Sequence, residues 1–213
     1  MRPTMTWGRG VSGQSDSASP LMVCTMHVSF RDQLDESAAV VQSFTAQADA
    51  VDAICRLVAD AVLSGSTLFT CGNGGSATDA IHLAEEMMGR YRATRRPLPA
   101  VCLNTDVGTI TCIANDFGFE QVFARQLEAL ARPGDLLVIF STSGGSPNIL
   151  AALHAARASG VTCIALLGKG GGAARELADH VLVVPSASSA RIQEVHTLIL
   201  HAICEEIEGR FVV

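Results

Sequence analysis

The sequence predicts an α/β protein: a central parallel sheet covered by helices on both faces. Three observations carry that expectation. Short, almost wholly apolar runs alternate with segments of helical periodicity, as they do where strands are buried on both sides. Two strand-to-helix junctions are rich in glycine and serine, "CGNGGS" at 71–76 and "STSGGS" at 141–146. In parallel sheets such turns lie at the carboxyl ends of strands, where ligands bind. Finally, 213 residues with 48% hydrophobic and 17% charged content suffice for one sizeable core and exclude general disorder.

The elements follow in order. "MRPTMTWGRGVSGQSDSASP" (1–20) has no continuous apolar stretch, so it reads as a disordered extension and not as a signal peptide. Met22 and Met26 are alternative starts. The expected division is an extension over 1–27 and a single domain over 28–213. Between Ser29 and Leu63, Val40, Val41, Phe44, Val51, Ile54, Leu57, Val58 and Val62 recur at helical spacing, and "SGS" at 64–66 stops the pattern. These are one or two N-terminal helices. "TLFTCG" (67–72) is a short strand, and "SATDAIHLAEEMMGRY" is a helix. "LPAVCLN" (98–104) is strand-like, and "VGTITCIANDFG" and "EQVFARQLEALA" are helical. "DLLVIFSTS" (135–143) is a strand, and Pro147 opens the helix "PNILAALHAARASG", since a first-turn proline sacrifices no hydrogen bond. "VTCIALLG" (161–168) is a strand, "GGAARELADH" a short helix and "HVLVVP" (180–185) a last strand. A helix over about 189–208 closes the chain.

Composition removes several functions. A net charge of −6, with "RYRATRR" (90–96) as the only dense basic stretch, argues against nucleic-acid binding by phosphate neutralisation. No apolar run approaches the ~20 residues of a membrane-spanning helix. The cysteines at 24, 55, 71, 102, 112, 163 and 204 are odd in number, unpaired in spacing and mostly set in apolar runs. That is cytoplasmic usage and not a disulfide framework.

"STSGGSPN" offers the hydroxyls of Ser141, Thr142, Ser143 and Ser146, with glycines that let backbone N–H groups approach and a helix N-terminus just beyond. Such a cradle suits a phosphate monoester, and it matches neither of the glycine-rich nucleotide patterns. The competing reading of one such loop is a solvated, N-capped turn; two at equivalent positions favour anion binding. After the first glycine turn, His82 and Glu86 lie four residues apart on one helix face, with Asp79 a turn earlier. On the last helix Gln193, Thr197 and His201 also recur every four residues. His201, between Leu200 and Ala202, also fits a core histidine. A cradle, a carboxylate and a histidine together suit proton transfer on a sugar phosphate. His82, Glu86, Gln193 and His201 also form a donor set that could converge on one divalent metal.

The blocks "GNGGSATDAIHLAEE", "GRY", "CLNTD", "IANDFGFEQVFARQLEAL", "GDLLVIFSTSGGSPNILAALHAA" and "RIQEVHTLILH" run in order over about residues 40 to 208. In these blocks the chain resembles the sugar isomerase (SIS) domain and, within it, the sedoheptulose 7-phosphate isomerases (phosphoheptose isomerases). The resemblance implies a three-layer α/β/α sandwich. It also implies interconversion of sedoheptulose 7-phosphate and D-glycero-D-manno-heptose 7-phosphate, the first step toward activated heptose. In that family's terms Glu86 is the base between C1 and C2, and His201 the acid/base partner. Asn73, Gly74, Gly75, Ser76, Asn115, Asp116, Ser141, Thr142, Ser143, Ser146 and Gln193 hold the substrate. His82, Glu86, Gln193 and His201 correspond to a zinc site, one ion per subunit, and the assembly is a homotetramer with active sites between subunits. Ala190, where some members carry an acidic residue, and "SAT" (76–78) depart from part of the family. A non-catalytic alternative, the DnaA initiator-associating proteins, shares "NTD", "IAND" and "SARIQE". Glu86 and His201, which those proteins lack, favour the enzyme.

Overall fold

The computed structural model describes residues 28–211. The expected extension over 1–27 therefore lies outside the described residues. Helix α1 (Phe30–Phe44) starts at Ser29, whose hydroxyl accepts from the Asp32 N–H while the Asp32 carboxylate accepts from the Ser29 N–H, a reciprocal cap. A single 3-10 turn leads into α2 (Ala48–Leu63). Strand β1 (Leu68–Gly72), α3 (Gly75–Met88), β2 (Ala100–Cys102), α4 (Val107–Phe117) and α5 (Ala124–Leu130) follow. Then come β3 (Leu136–Ser141), α6 (Pro147–Ala158), β4 (Thr162–Leu167), β5 (His180–Val183) and α7 (Ser189–Gly209).

The five strands form one parallel sheet in the order β2-β1-β3-β4-β5. Alternate strand residues feed opposite cores. Leu68, Val138, Phe140, Ile164, Leu166 and Leu182 pack with α2, α3 and α7, while Phe69, Leu137, Ile139, Ala165 and Leu167 pack with α5 and α6. The result is the expected three-layer sandwich, with α1 and α2 added to one face. The open edge at β5 is bracketed by the Gln47 side chain. Its amide nitrogen donates to the Val183 carbonyl (2.7 Å), and its oxygen accepts from the Val183 N–H (3.3 Å).

Three local expectations need correction. Residues 120–131 do not form one helix: a 3-10 turn at Phe119–Gln121 precedes α5. The stretch 171–180 holds only a 3-10 turn, Ala173–Glu176, because Gly170, Gly171 and Gly172 all adopt positive φ just before it. "GRY" lies beyond α3, which stops at Met88 with Gly89 as its cap.

Strand order decides where a ligand can go. The chain steps from β1 outward to β2, then returns to the other side of β1 as β3. The β1/β3 boundary is thus the topological switch point, where a crevice opens at the carboxyl ends. Gly72 pairs in register with Phe140, so both glycine-rich turns leave the sheet side by side.

Candidate active site

The first turn is held by side-chain amides. Asn104 brackets Gly72, accepting from its N–H (3.1 Å) and donating to its carbonyl (2.9 Å). A Cβ on Gly72 would collide with the Ser76 carbonyl, so α3 can start this close to the strand only from a glycine. The second turn is held by its own hydroxyls, with Ser141 Oγ accepting from Gly144 N–H (3.0 Å) and Ser143 Oγ from Gly145 N–H (3.3 Å). Asn73 and Asn148 join the two turns through a reciprocal amide pair, 2.8 Å in each direction. Between the turns lies a cavity of about 130 Å³ lined by Asn73, Ser76, Ser141, Thr142, Ser143, Ser146, Ser189 and Gln193, with Phe140 at its base. No charged side chain lines it. Its field comes from the N-termini of α3 and α6, which suits a dianion capped by N–H and O–H donors. Roomier depressions, about 200 Å³ against α1, α2 and α7 and about 570 Å³ beside β2, expose mostly apolar surface and do not lie between the two glycine-rich turns.

Helices α3 and α7 run side by side in the same direction. A Cβ on Gly75 would lie 2.6 Å from Gln193 Nε2, so the Gln193 amide rests on the N-terminus of α3. One turn on, Thr197 donates to Asp79 Oδ1 at 3.1 Å. The other Asp79 oxygen is buried without a partner, and burial raises the carboxyl pKa, the Thr197 bond opposing it only in part. A further turn brings His82 and His201 together, ring centroids 5.1 Å apart and edge to face. His82 Nε2 lies 3.3 Å from Glu86 Oε1, with the Glu86 side chain 14% exposed. The Tyr91 ring covers His201 at 5.9 Å. His201 is half-buried beside these polar groups and is not enclosed by the core.

The sequence-derived residues thus fall into two groups and an outlier. Asn73, Gly74, Gly75, Ser76, Ser141, Thr142, Ser143, Ser146 and Gln193 meet at the cradle, and His82, Glu86 and His201 meet lower on the α3–α7 seam. Asn115 and Asp116 stand apart, exposed on α4 and bonded to each other (2.6 Å). For a metal, ligand atoms of His82, Glu85 and Glu86 lie within 4.8 Å of one another. An imidazole and a carboxylate at helical i, i+4 spacing suit a divalent ion such as zinc. His201 adjoins that group edge-on, whereas Gln193 lies two turns away, roughly 12 Å along the helix. Ser189, Asn104 and Asn148 belong to the site without being marked by the sequence. Asn104 is the third residue of "CLNTD" and Asn148 the last of "STSGGSPN", but nothing in one sequence shows that their amides face the turns.

A donor-lined cavity at a switch point, with a histidine–carboxylate group on the helix it launches, is an arrangement that could take a sugar phosphate. A SIS domain model matches residues 32–168, and the chain belongs to that family. Its relatives narrow the class. The phosphoheptose isomerase of Campylobacter concisus is 51% identical over 157 residues, covering 74% of this chain and 83% of that one. The phosphoheptose isomerase structure from Francisella tularensis superposes with a TM-score of 0.81 at 34% identity, covering 84% of this chain and 96% of that one. The one from Neisseria gonorrhoeae gives 0.79 at 38% identity, with the same coverage. Within the SIS domain proteins the chain is therefore a member of the phosphoheptose isomerases, and these relatives lend the initiator-associating alternative no support.

Proposed function

We propose that this isomerase interconverts sedoheptulose 7-phosphate and D-glycero-D-manno-heptose 7-phosphate with Glu86 and His201 as its acid/base pair. The phosphate sits in the cradle, accepting hydrogen bonds from the Ser141, Thr142, Ser143 and Ser146 hydroxyls and the N–H groups that open α3 and α6. Glu86 removes the C1 proton of the open-chain ketose, its electrons form the C1–C2 double bond of the enediol, and return of the proton at C2 gives the aldose. His201 shuttles the hydroxyl protons between O1 and O2. The observation that carries this reading is the seam itself. Glu86 follows Gly75 by eleven residues, a rise of roughly 16 Å, and helical side chains lean back toward the N-terminus. A sugar whose phosphate fills the cradle therefore extends along α3 toward Glu86 and His201.

A divalent ion, zinc by the donor chemistry, would be held by His82 and Glu86 with His201 alongside, and when bound it would polarise the C1 and C2 oxygens. The protein works as a homotetramer; the exposed Phe30 and Leu34 on α1, and Leu198 at the α1–α2–α7 groove, support association with further copies. Assembly gives Asn115 and Asp116, which do not line their own cradle, a neighbour's substrate to contact. The described residues make up a single SIS domain. Its setting is the cytoplasm, in keeping with free thiols at Cys55, Cys71, Cys102, Cys112, Cys163 and Cys204. Among the described residues no helix is long and apolar enough to cross a membrane.

The test is direct. Purified protein is mixed with sedoheptulose 7-phosphate and the aldose product followed by NMR, with and without a chelator. Product abolished by chelator supports both the isomerisation and the metal. Product that survives chelation keeps the acid/base pair and removes the metal. No product, even with zinc added, overturns the reading.

A further inference from the structure

Three arginines of the basic stretch at 90–96 bond to groups of the chain itself, two of them at the surface. Arg92 pairs with Glu205, and Arg96 donates to the Leu63 carbonyl (3.2 Å). Arg95 goes deepest: its side chain is 2% exposed and lies beneath the end of α3. It donates to the carbonyls of Glu86 (2.6 Å) and Met87 (2.9 Å) in the last turn of α3, the second of which also accepts from the Leu98 N–H (3.0 Å). Its Nε donates to Glu208 Oε1 (3.2 Å), and Glu208 Oε2 accepts from the Ala93 N–H (2.9 Å), fixing the loop that delivers the arginine. Glu208 belongs to α7, seven residues and two turns beyond His201. One guanidinium thus ties the residue that carries the base to the helix that carries its partner.

We propose that Arg95 is a positioning residue for the reaction: by gripping the Glu86 carbonyl and Glu208 together, it fixes how far the Glu86 carboxylate stands from His201. The planar fork suits this task. It meets two helical carbonyls and a carboxylate at once, whereas a lysine offers a single point of donation. A cation at a helix C-terminus also complements the dipole, which explains why a buried positive charge is tolerated there. The inference rests on the assignment of Glu86 as base.

The test compares Arg95→Met with a destabilised control on the other face of the sheet, Leu127→Ala, whose side chain is fully buried in the second core. Under conditions where both stay folded, Arg95→Met is expected to lower kcat about 100-fold, the scale of a 1 Å misplacement of a reacting group, with KM within about twofold because the cradle is untouched. Leu127→Ala is expected to keep kcat. A wild-type kcat in Arg95→Met overturns the proposal, as does a KM that worsens in step with kcat or an equal kcat loss in the control. If Arg95→Met does not fold, Arg95→Lys replaces it. It keeps a cation for Glu208, and a kcat loss of at least about tenfold is expected; a wild-type kcat overturns the proposal. If the wild-type protein itself fails to isomerise, the functional reading has failed. The strut is then judged from crystal structures of the wild type and the variant: a displaced Glu86 supports it, and an unmoved one overturns it.

Discussion

Acidification from pH 7.5 to 4.5 is expected to destabilise the fold through one residue, His196, and His196→Phe to remove most of that sensitivity. The imidazole is fully buried on α7, its ring 6.0 Å from that of Phe140, with Nε2 3.4 Å from the Leu167 carbonyl and Nδ1 without a partner. A charge there would be stranded in apolar surroundings, so burial pushes its pKa down from 6.5 to about 4. Below pH 6.5 the unfolded chain takes up a proton that the native state refuses until about pH 4. The unfolded state therefore binds more protons in that window, and stability falls as pH falls through it. At about 1.4 kcal/mol per pH unit, the drop from 6.5 to about 4 amounts to roughly 3 kcal/mol. Asp79 works the other way. Its raised pKa lets the native state hold a proton that the unfolded chain releases, so its contribution grows on acidification. The wild-type slope is therefore a net value, and the variant isolates the histidine. The assay is urea unfolding followed by far-UV circular dichroism at half-unit pH intervals. If His196→Phe loses as much stability as the wild type over the same range, the argument is refuted; so it is if NMR shows His196 titrating near 6.5.

Three further outcomes follow from the site. Glu86→Gln should lower kcat by about 10²- to 10⁴-fold with KM nearly unchanged, and a wild-type rate in the product assay removes the base. Gly144→Ala forces a side chain into a left-handed backbone (φ +61°) and onto the Gly171 carbonyl of the adjoining turn. The loop must move, so KM is expected to rise at least about tenfold in steady-state kinetics, and a wild-type KM shows that the loop does not set phosphate affinity. Equilibrium dialysis should find one zinc ion per wild-type chain and loss of that stoichiometry in His82→Ala. Retention of the ion there would put the metal elsewhere.

The fold was legible wherever the apolar pattern was continuous or sustained at one period. β3 and β4 are runs of apolar residues bounded by turn signals, and α2 and α7 carry many residues of helical period, so their type was decided by burial alone. Legibility failed where three glycines fixed the backbone. At 170–172 their positive φ angles spend the approach to Ala173 on a turn that buttresses Gly144 through the Ala174 N–H (2.9 Å), and only a 3-10 turn follows before β5. In the site, hydroxyls and glycines in sequence order revealed the cradle because a single loop contains them. His196 and the Arg95–Glu208 pair stayed hidden. One reads as an ordinary helix residue, and the other joins residues 113 positions apart, a proximity that only the folded chain creates.

The seam between α3 and α7 also makes substrate length a mechanical quantity. Gln193 rests on Gly75, Thr197 bonds Asp79 and His201 meets His82, three contacts at successive turns that keep the helices from sliding. The interval from cradle to Glu86 is therefore set by the rise of a regular helix and cannot shrink to suit a shorter molecule. A ketopentose 5-phosphate brings the same phosphate but two fewer carbons. Its phosphate should still fill the cradle, so it should inhibit sedoheptulose 7-phosphate turnover competitively, while its C1–C2 bond falls short of Glu86. Measured side by side, the pentulose should show a kcat at least about 100-fold lower at a comparable binding constant, since productive placement is lost and phosphate binding is kept. Equal kcat values for the two sugars would mean that the pentulose reaches the base by another pose, and the helix would then not be the ruler of this site.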